Sequence, residues 1–192
     1  MRIFASRLTV FAAVVGLSFS SALPAGAAEV DGVKVPDTAN VGGSDLVLSG
    51  AGLRTKFIVK VYAASLYTPT KVTTLAGASK GARRVELHML RGLDAKTLVE
   101  AMNEGLTANN TEAEIAAVKG EHDKLVTTMN GLGSLKEGDI IDFDFADDTT
   151  TLKLNGKVKG TYAGAAFNVA ILKIWLGSKP VQDDLKKKLL GG

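Results

Sequence analysis

The chain has 192 residues, with 23 Lys and Arg against 20 Asp and Glu, two histidines and no cysteine. The missing cysteines exclude a disulfide scaffold, thiol catalysis and cysteine metal sites, and His88 and His122 alone offer no metal-ligand spacing. A net charge of +3, without a basic stripe interleaved with aromatics, argues against a nucleic-acid partner.

The first 28 residues read as a cleaved secretory signal. Arg2 and Arg7 form its positive region, Leu8 to Phe19 its apolar stretch, and Ala25 and Ala27 an A-x-A site with the cut after Ala27 or Ala28. The apolar run is short of the ~20 residues that span a bilayer, and the mature part holds no transmembrane segment. The mature chain, 29–192, is then expected to be periplasmic or secreted and to form one domain. Losing two arginines leaves 21 bases against the 20 acids, a net charge of +1.

After a polar stretch over 29–45, "LVLSGAGLR" and "TKFIVKVYAASLYTP" read as consecutive strands, rich in branched and aromatic residues. "RRVELHML" alternates, with Val85, Leu87 and Met89 on one face and Glu86 and His88 on the other, which places His88 in solvent. Asp94 is the expected N-cap of a helix carrying Leu98, Met102 and Leu106. "TEAE" at 111–114 is a capping box that opens a second helix. On that helix His122 falls among Ile115, Val118, Leu125 and Met129, as a hydrogen-bonded core histidine would.

Strands then resume. In "DIIDFDFADD", Ile141, Phe143 and Phe145 alternate with Asp142 and Asp144, which are expected on the wet side of a half-buried strand. Asn155-Gly156 supplies a tight hairpin turn. "AGAAFNVAILKIWLG" reads as a helix, and Pro180 and Gly191 bracket a short terminal one whose lysines suit the helix dipole. Strands, helices, strands and helices without strict alternation predict an antiparallel α+β layer fold.

Gly50 and Gly52 precede a strand rather than a helix, so they mark a bend or a close backbone approach instead of a dinucleotide loop. No cofactor is expected. Arg54 raises a different question. On an unbroken strand, Arg54, Lys56, Ile58, Lys60 and Tyr62 share one face, while Phe57, Val59, Val61 and Ala63 take the core face. Arg54 is then one of three surface cations, or, if helices cover its face, a charge that needs an anion. Tyr62 would lie about 26 Å further along a straight ribbon, so only a bend or hairpin brings the two together.

"LSGAGLRTKFIVKVYAASLY" and "LKIWLGSKPVQDDLKKKLLG" closely resemble the exported bacterial branch of the chalcone isomerase-like family, over roughly 30–191. The resemblance implies an open-faced β-sandwich, a large antiparallel sheet covered by helices. In the plant enzymes the arginine after G-x-G lines the substrate cleft and stabilises a developing enolate, and Arg54 matches it. The family's threonine in the strand block is replaced by Tyr62. Its cleft-helix tyrosine position holds Lys96, its asparagine matches Asn103, and its C-terminal Thr/Ser falls near Asn168. Fatty-acid-binding relatives pair the arginine with a tyrosine that clamps a carboxylate. The resemblance therefore implies a non-catalytic protein that binds a small amphipathic anion, such as a fatty acid, at Arg54, Tyr62 and Asn103. The alternatives are an isomerase cyclising chalcone-like enones, and a structural or partner-binding protein whose Arg54 is satisfied internally.

Overall fold

A computed structural model describes residues 28–192. The proposed signal segment, Ala28 apart, lies outside the described residues. In chain order the elements are β1 (Ala28–Val30), β2 (Val33–Val35), β3 (Thr38–Val41), β4 (Ser44–Lys56), β5 (Val59–Thr68), α1 (Leu75–Ala78), β6 (Arg83–Met89), β7 (Leu93–Asp94) and α2 (Ala95–Asn109). There follow α3 (Glu112–Asn130), β8 (Ser134–Leu135), β9 (Ile140–Ala146), β10 (Thr149–Leu154), β11 (Lys157–Ala163), α4 (Ala165–Leu176) and α5 (Asp183–Leu189). Seven strands form one antiparallel sheet in the order β11-β10-β9-β6-β5-β4-β3.

The caps do what the sequence predicts. Asp94 accepts from the Lys96 amide at 2.8 Å, and Thr111 and Glu114 close a reciprocal capping box at the start of α3. Asn155 and Gly156, both at positive φ, turn β10 into β11. The polar stretch 29–45 differs from expectation, because it folds into three short strands. Asp31-Gly32 and Gly42-Gly43 take positive φ and make two-residue turns. Val35, Val41, Leu46 and Tyr67 close a small separate core beneath them.

The principal core lies between the sheet and its helices. Val85, Leu87, Met89, Ile141, Phe143 and Phe145 point from β6 and β9 into it. Helix α4 is apolar almost all round, and Phe167, Ile171, Leu172, Ile174, Trp175 and Leu176 are all buried. Such a helix is stable only at the centre of the layer, between the sheet and its neighbouring helices.

The opposite sheet face corrects a sequence expectation. Asp142 and Asp144 are only 5% and 4% exposed, and His88 is half-buried. Antiparallel register sets Glu86 beside Asp142 and Arg84 beside Asp144. Arg84 grips Asp144 through two bonds of 2.5 and 2.8 Å, Lys153 adds a third at 2.7 Å, and His88 lies 2.7 Å from Glu86. Charges that read as solvated are thus buried by pairing with one another across strands.

Asp142 is the poorly compensated member. Burial pushes its carboxyl up to about 6, opposed by Arg84 and reinforced by the neighbouring acids Glu86 and Asp144. Because this value exceeds that of an unfolded aspartate, ~3.9, the associated stabilisation is complete below pH ~4 and lost as pH rises through about 6. Asp142→Asn keeps the site neutral throughout. Its urea stability relative to the wild type is therefore expected to rise between pH 4 and 7, by on the order of 1–2 kcal/mol. A pH-independent difference would show that Asp142 titrates alike folded and unfolded.

Candidate functional site

The strands that read as consecutive are joined by a two-residue turn at Phe57–Ile58, with Lys56 paired to Val59. The hairpin makes Arg54 and Tyr62 direct cross-strand partners, so both side chains occupy one face of the sheet. Arg54 pairs with Tyr62 but Thr55 pairs with Lys60, so Val61 is an extra residue in β5. Such a bulge shifts the phase of alternation. Val59 and Val61 lie on one side of the shift and Tyr62, Ala64 and Leu66 on the other, yet all approach the helical layer.

The unbroken-strand assignment is corrected accordingly. Phe57 is 94% exposed at the turn, not in the core, and Tyr62 is 5% exposed rather than on a charged surface. Arg54 is half-buried.

Helix α5 fixes the arginine's surroundings. It lies directly on β4 because Gly50 and Gly52 have no side chains. A Cβ on Gly50 would come within 2.0 Å of the Lys188 carbonyl oxygen, and one on Gly52 within 2.7 Å of Lys188 Cβ. Close approach, one of the two readings of these glycines, is what they provide. Gln182 at the head of α5 then clamps the strand. Its Oε1 accepts from the Thr55 amide at 2.9 Å and from Arg54 Nη1 at 3.3 Å, while its Nε2 donates toward the Leu53 carbonyl at 3.3 Å. Arg54 also donates to the Thr55 carbonyl. Both acceptors are neutral, and Arg54 belongs to none of the ion pairs among the described residues.

The guanidinium stands at a cavity of about 230 Å³ between the sheet and helices α2 and α4. Its interior is apolar, with Val61, Leu87, Leu98, Met102, Phe143 and Ile174 among the lining residues. Lys56, Phe57, Val59 and Arg91 also contribute to its wall. Tyr62 and Trp175 complete the polar end. The indole Nε1–H donates to the Tyr62 hydroxyl oxygen at 3.2 Å, and Trp175 packs on Phe143 with ring centroids 5.5 Å apart. Since indole is a donor only, Tyr62 accepts in this bond and its own proton stays free to donate. Burial raises the phenol pKa, against smaller opposing effects of Trp175 and Arg54, so Tyr62 remains a neutral donor.

Asn103 is placed elsewhere. It lies on α2 with its Oδ1 2.8 Å from His122 Nε2 on α3, and it is not among the residues lining this cavity. His122 therefore has a hydrogen-bonded, helix-bridging position. Asn168 is buried at the start of α4 and accepts from Thr150 Oγ1 at 2.6 Å. It faces a second, polar cavity that also includes Arg83. Lys96 is exposed in the first turn of α2. Of the positions implied by the resemblance, the tertiary structure unites Arg54 and Tyr62.

Two neighbours escaped sequence reasoning. Trp175 lies in the I-W-L-G block, but nothing local marks its indole as the partner of a tyrosine 113 positions away. Gln182 is a lone polar residue before Asp183 and Asp184, with no periodic signal.

No curated protein matches the sequence. Among solved structures, a fatty-acid binding protein from Arabidopsis thaliana shares the fold. Its TM-score is 0.60 at 16% identity, covering 83% of this chain and 92% of the other. The family model described as chalcone isomerase-like matches residues 27–191. Seven antiparallel strands under a helical layer and a match over nearly the whole described chain lead to one assignment: this protein belongs to the chalcone isomerase-like family.

Proposed function

We propose that the protein is an exported, non-catalytic binder of small amphipathic carboxylates, with a fatty acid as the first cargo to test. One observation carries the reading. Arg54 holds a permanent charge at an apolar cavity, and its hydrogen-bond partners among the described residues are neutral. A half-buried cation without an anion is costly, and a carboxylate relieves that cost through charge-assisted, geometrically matched bonds. Tyr62 adds a donor whose orientation Trp175 restrains. The aliphatic tail occupies the apolar lining. The Arabidopsis thaliana protein that shares the fold is itself a fatty-acid binding protein, which makes this cargo class a natural first choice.

Enone cyclisation finds less support. Arg54 is suited to an enolate, but Asn103 is engaged with His122, and Asn168 bonds Thr150 away from the cleft. Neither supplies the substrate-facing polar group that the resemblance implies.

The deciding experiment is denaturing extraction and lipid mass spectrometry of protein purified from the envelope fraction of an expressing bacterial host. Stoichiometric fatty acid is expected, on a chain whose intact mass begins at Ala28 or Glu29. Empty protein without affinity for added fatty acid would overturn the reading. Tyr62→Phe is expected to weaken solution binding of a fluorescent fatty acid roughly ten-fold, the lower end for a hydrogen bond to a charged group. Unchanged affinity would place the hydroxyl outside the ligand site.

A further inference from the structure

The β4–β5 turn spends large apolar side chains where none is needed for folding. Phe57 and Ile58 are 94% and 95% exposed, and neighbouring Val59 is 38% exposed. Phe57 also adopts φ +58°, a left-handed conformation that favours glycine and is unusual for a bulky residue. The tip thus combines backbone strain with two fully exposed apolar side chains, each of which has a polar or glycine substitute better suited to a wet turn.

The flanking charges are cationic. Lys56 is exposed beside the tip, and Arg91 is exposed on the cavity wall; neither forms an ion pair among the described residues. Lys60 is partly compensated by Asp31 at 2.5 Å. The tip is also continuous with the cleft, because Lys56, Phe57 and Val59 belong to the wall of the cavity that holds Arg54.

We infer that this hairpin tip docks on an anionic phospholipid bilayer, with Phe57 and Ile58 inserted at the interface and Lys56 and Arg91 facing headgroup phosphates. Apolar insertion with basic flanks is the usual chemistry of reversible membrane attachment. Docking there sets the cavity mouth against the bilayer, so an amphipathic carboxylate passes between lipid and cleft without crossing bulk water. The choice of a bilayer over a protein partner rests on the lipid-carboxylate reading of the cleft.

The test is co-sedimentation of the protein with vesicles of phosphatidylglycerol and phosphatidylcholine, and with phosphatidylcholine alone. The expected result is binding that requires phosphatidylglycerol, weakens with salt, and falls at least ~10-fold in Ile58→Asp. Ile58 is outside the cavity wall, so fluorescent fatty-acid affinity in vesicle-free solution should be unchanged in the same variant. Absent sedimentation of the wild type, or equal sedimentation of Ile58→Asp, would overturn the docking site. If solution affinity persists in either case, docking fails while the ligand reading stands. If the wild type lacks fatty-acid affinity but sediments as expected, the tip is a membrane anchor and the ligand reading fails instead.

Discussion

Arg54→Met is expected to weaken fatty-acid binding by roughly 100-fold, about 3 kcal/mol, as two charge-assisted hydrogen bonds and their charge are lost. Affinity for a fatty alcohol of equal length should change little, because it carries no charge for the guanidinium to meet. Ligand-free stability should hold or rise. Among the described residues Arg54 donates to the Thr55 carbonyl and Gln182 Oε1, and both partners are only partly buried, so water can reach the acceptors left behind. Met fills similar space without a charge to desolvate. Isothermal titration and urea unfolding on the same preparation measure both quantities. A fall in stability with unchanged carboxylate affinity would assign Arg54 to the framework and support the reading in which it is satisfied internally.

The second large effect belongs to Gly50. Gly50→Ala places a methyl group 2.0 Å from the Lys188 carbonyl oxygen and 2.8 Å from that of Leu189. Both obstacles are backbone, so no rotamer change relieves the overlap and α5 must lift from β4. A loss of about 2–3 kcal/mol in urea unfolding is expected, at the upper end for overpacking. Ligand affinity should fall as well, because α5 carries Gln182, which holds Leu53, Arg54 and Thr55. Gly120→Ala is the control. It lies inside α3 with nothing within 4 Å of an added Cβ, and should be stabilising by ~1 kcal/mol on helix propensity. Equal stability of Gly50→Ala and the wild type would show that α5 does not depend on contact at this glycine.

Much of the architecture was legible along the chain because it is locally encoded. Asp94 and the Thr111–Glu114 capping box act on backbone groups two or three residues away, and Asn155-Gly156 turns the chain through its own positive φ angles. The inward faces of β6 and β9 follow from a period of two that no bulge interrupts. Asp31-Gly32 and Gly42-Gly43 carried the same kind of turn signal for β1 to β4, unread beneath the polarity of their neighbours. Phe57-Ile58 carried none. A two-residue turn built from an aromatic and a branched residue looks like the middle of a strand, and periodicity accordingly sent Phe57 to the core.

The family blocks, the class of fold, the caps and the permanent charge of Arg54 are all written locally in the residues. Where that charge points and what surrounds it depend on contacts between distant parts of the chain. The turn and the Val61 bulge fold about 26 Å of imagined ribbon into one cross-strand pair. Helices far along the chain then deliver Trp175 and Gln182 to it. The same long-range pairing buries Asp142 and Asp144 against Arg84, although their alternation marks a wet face. Burial of a charge depends on partners brought from other strands, and spacing within one strand contains no record of them.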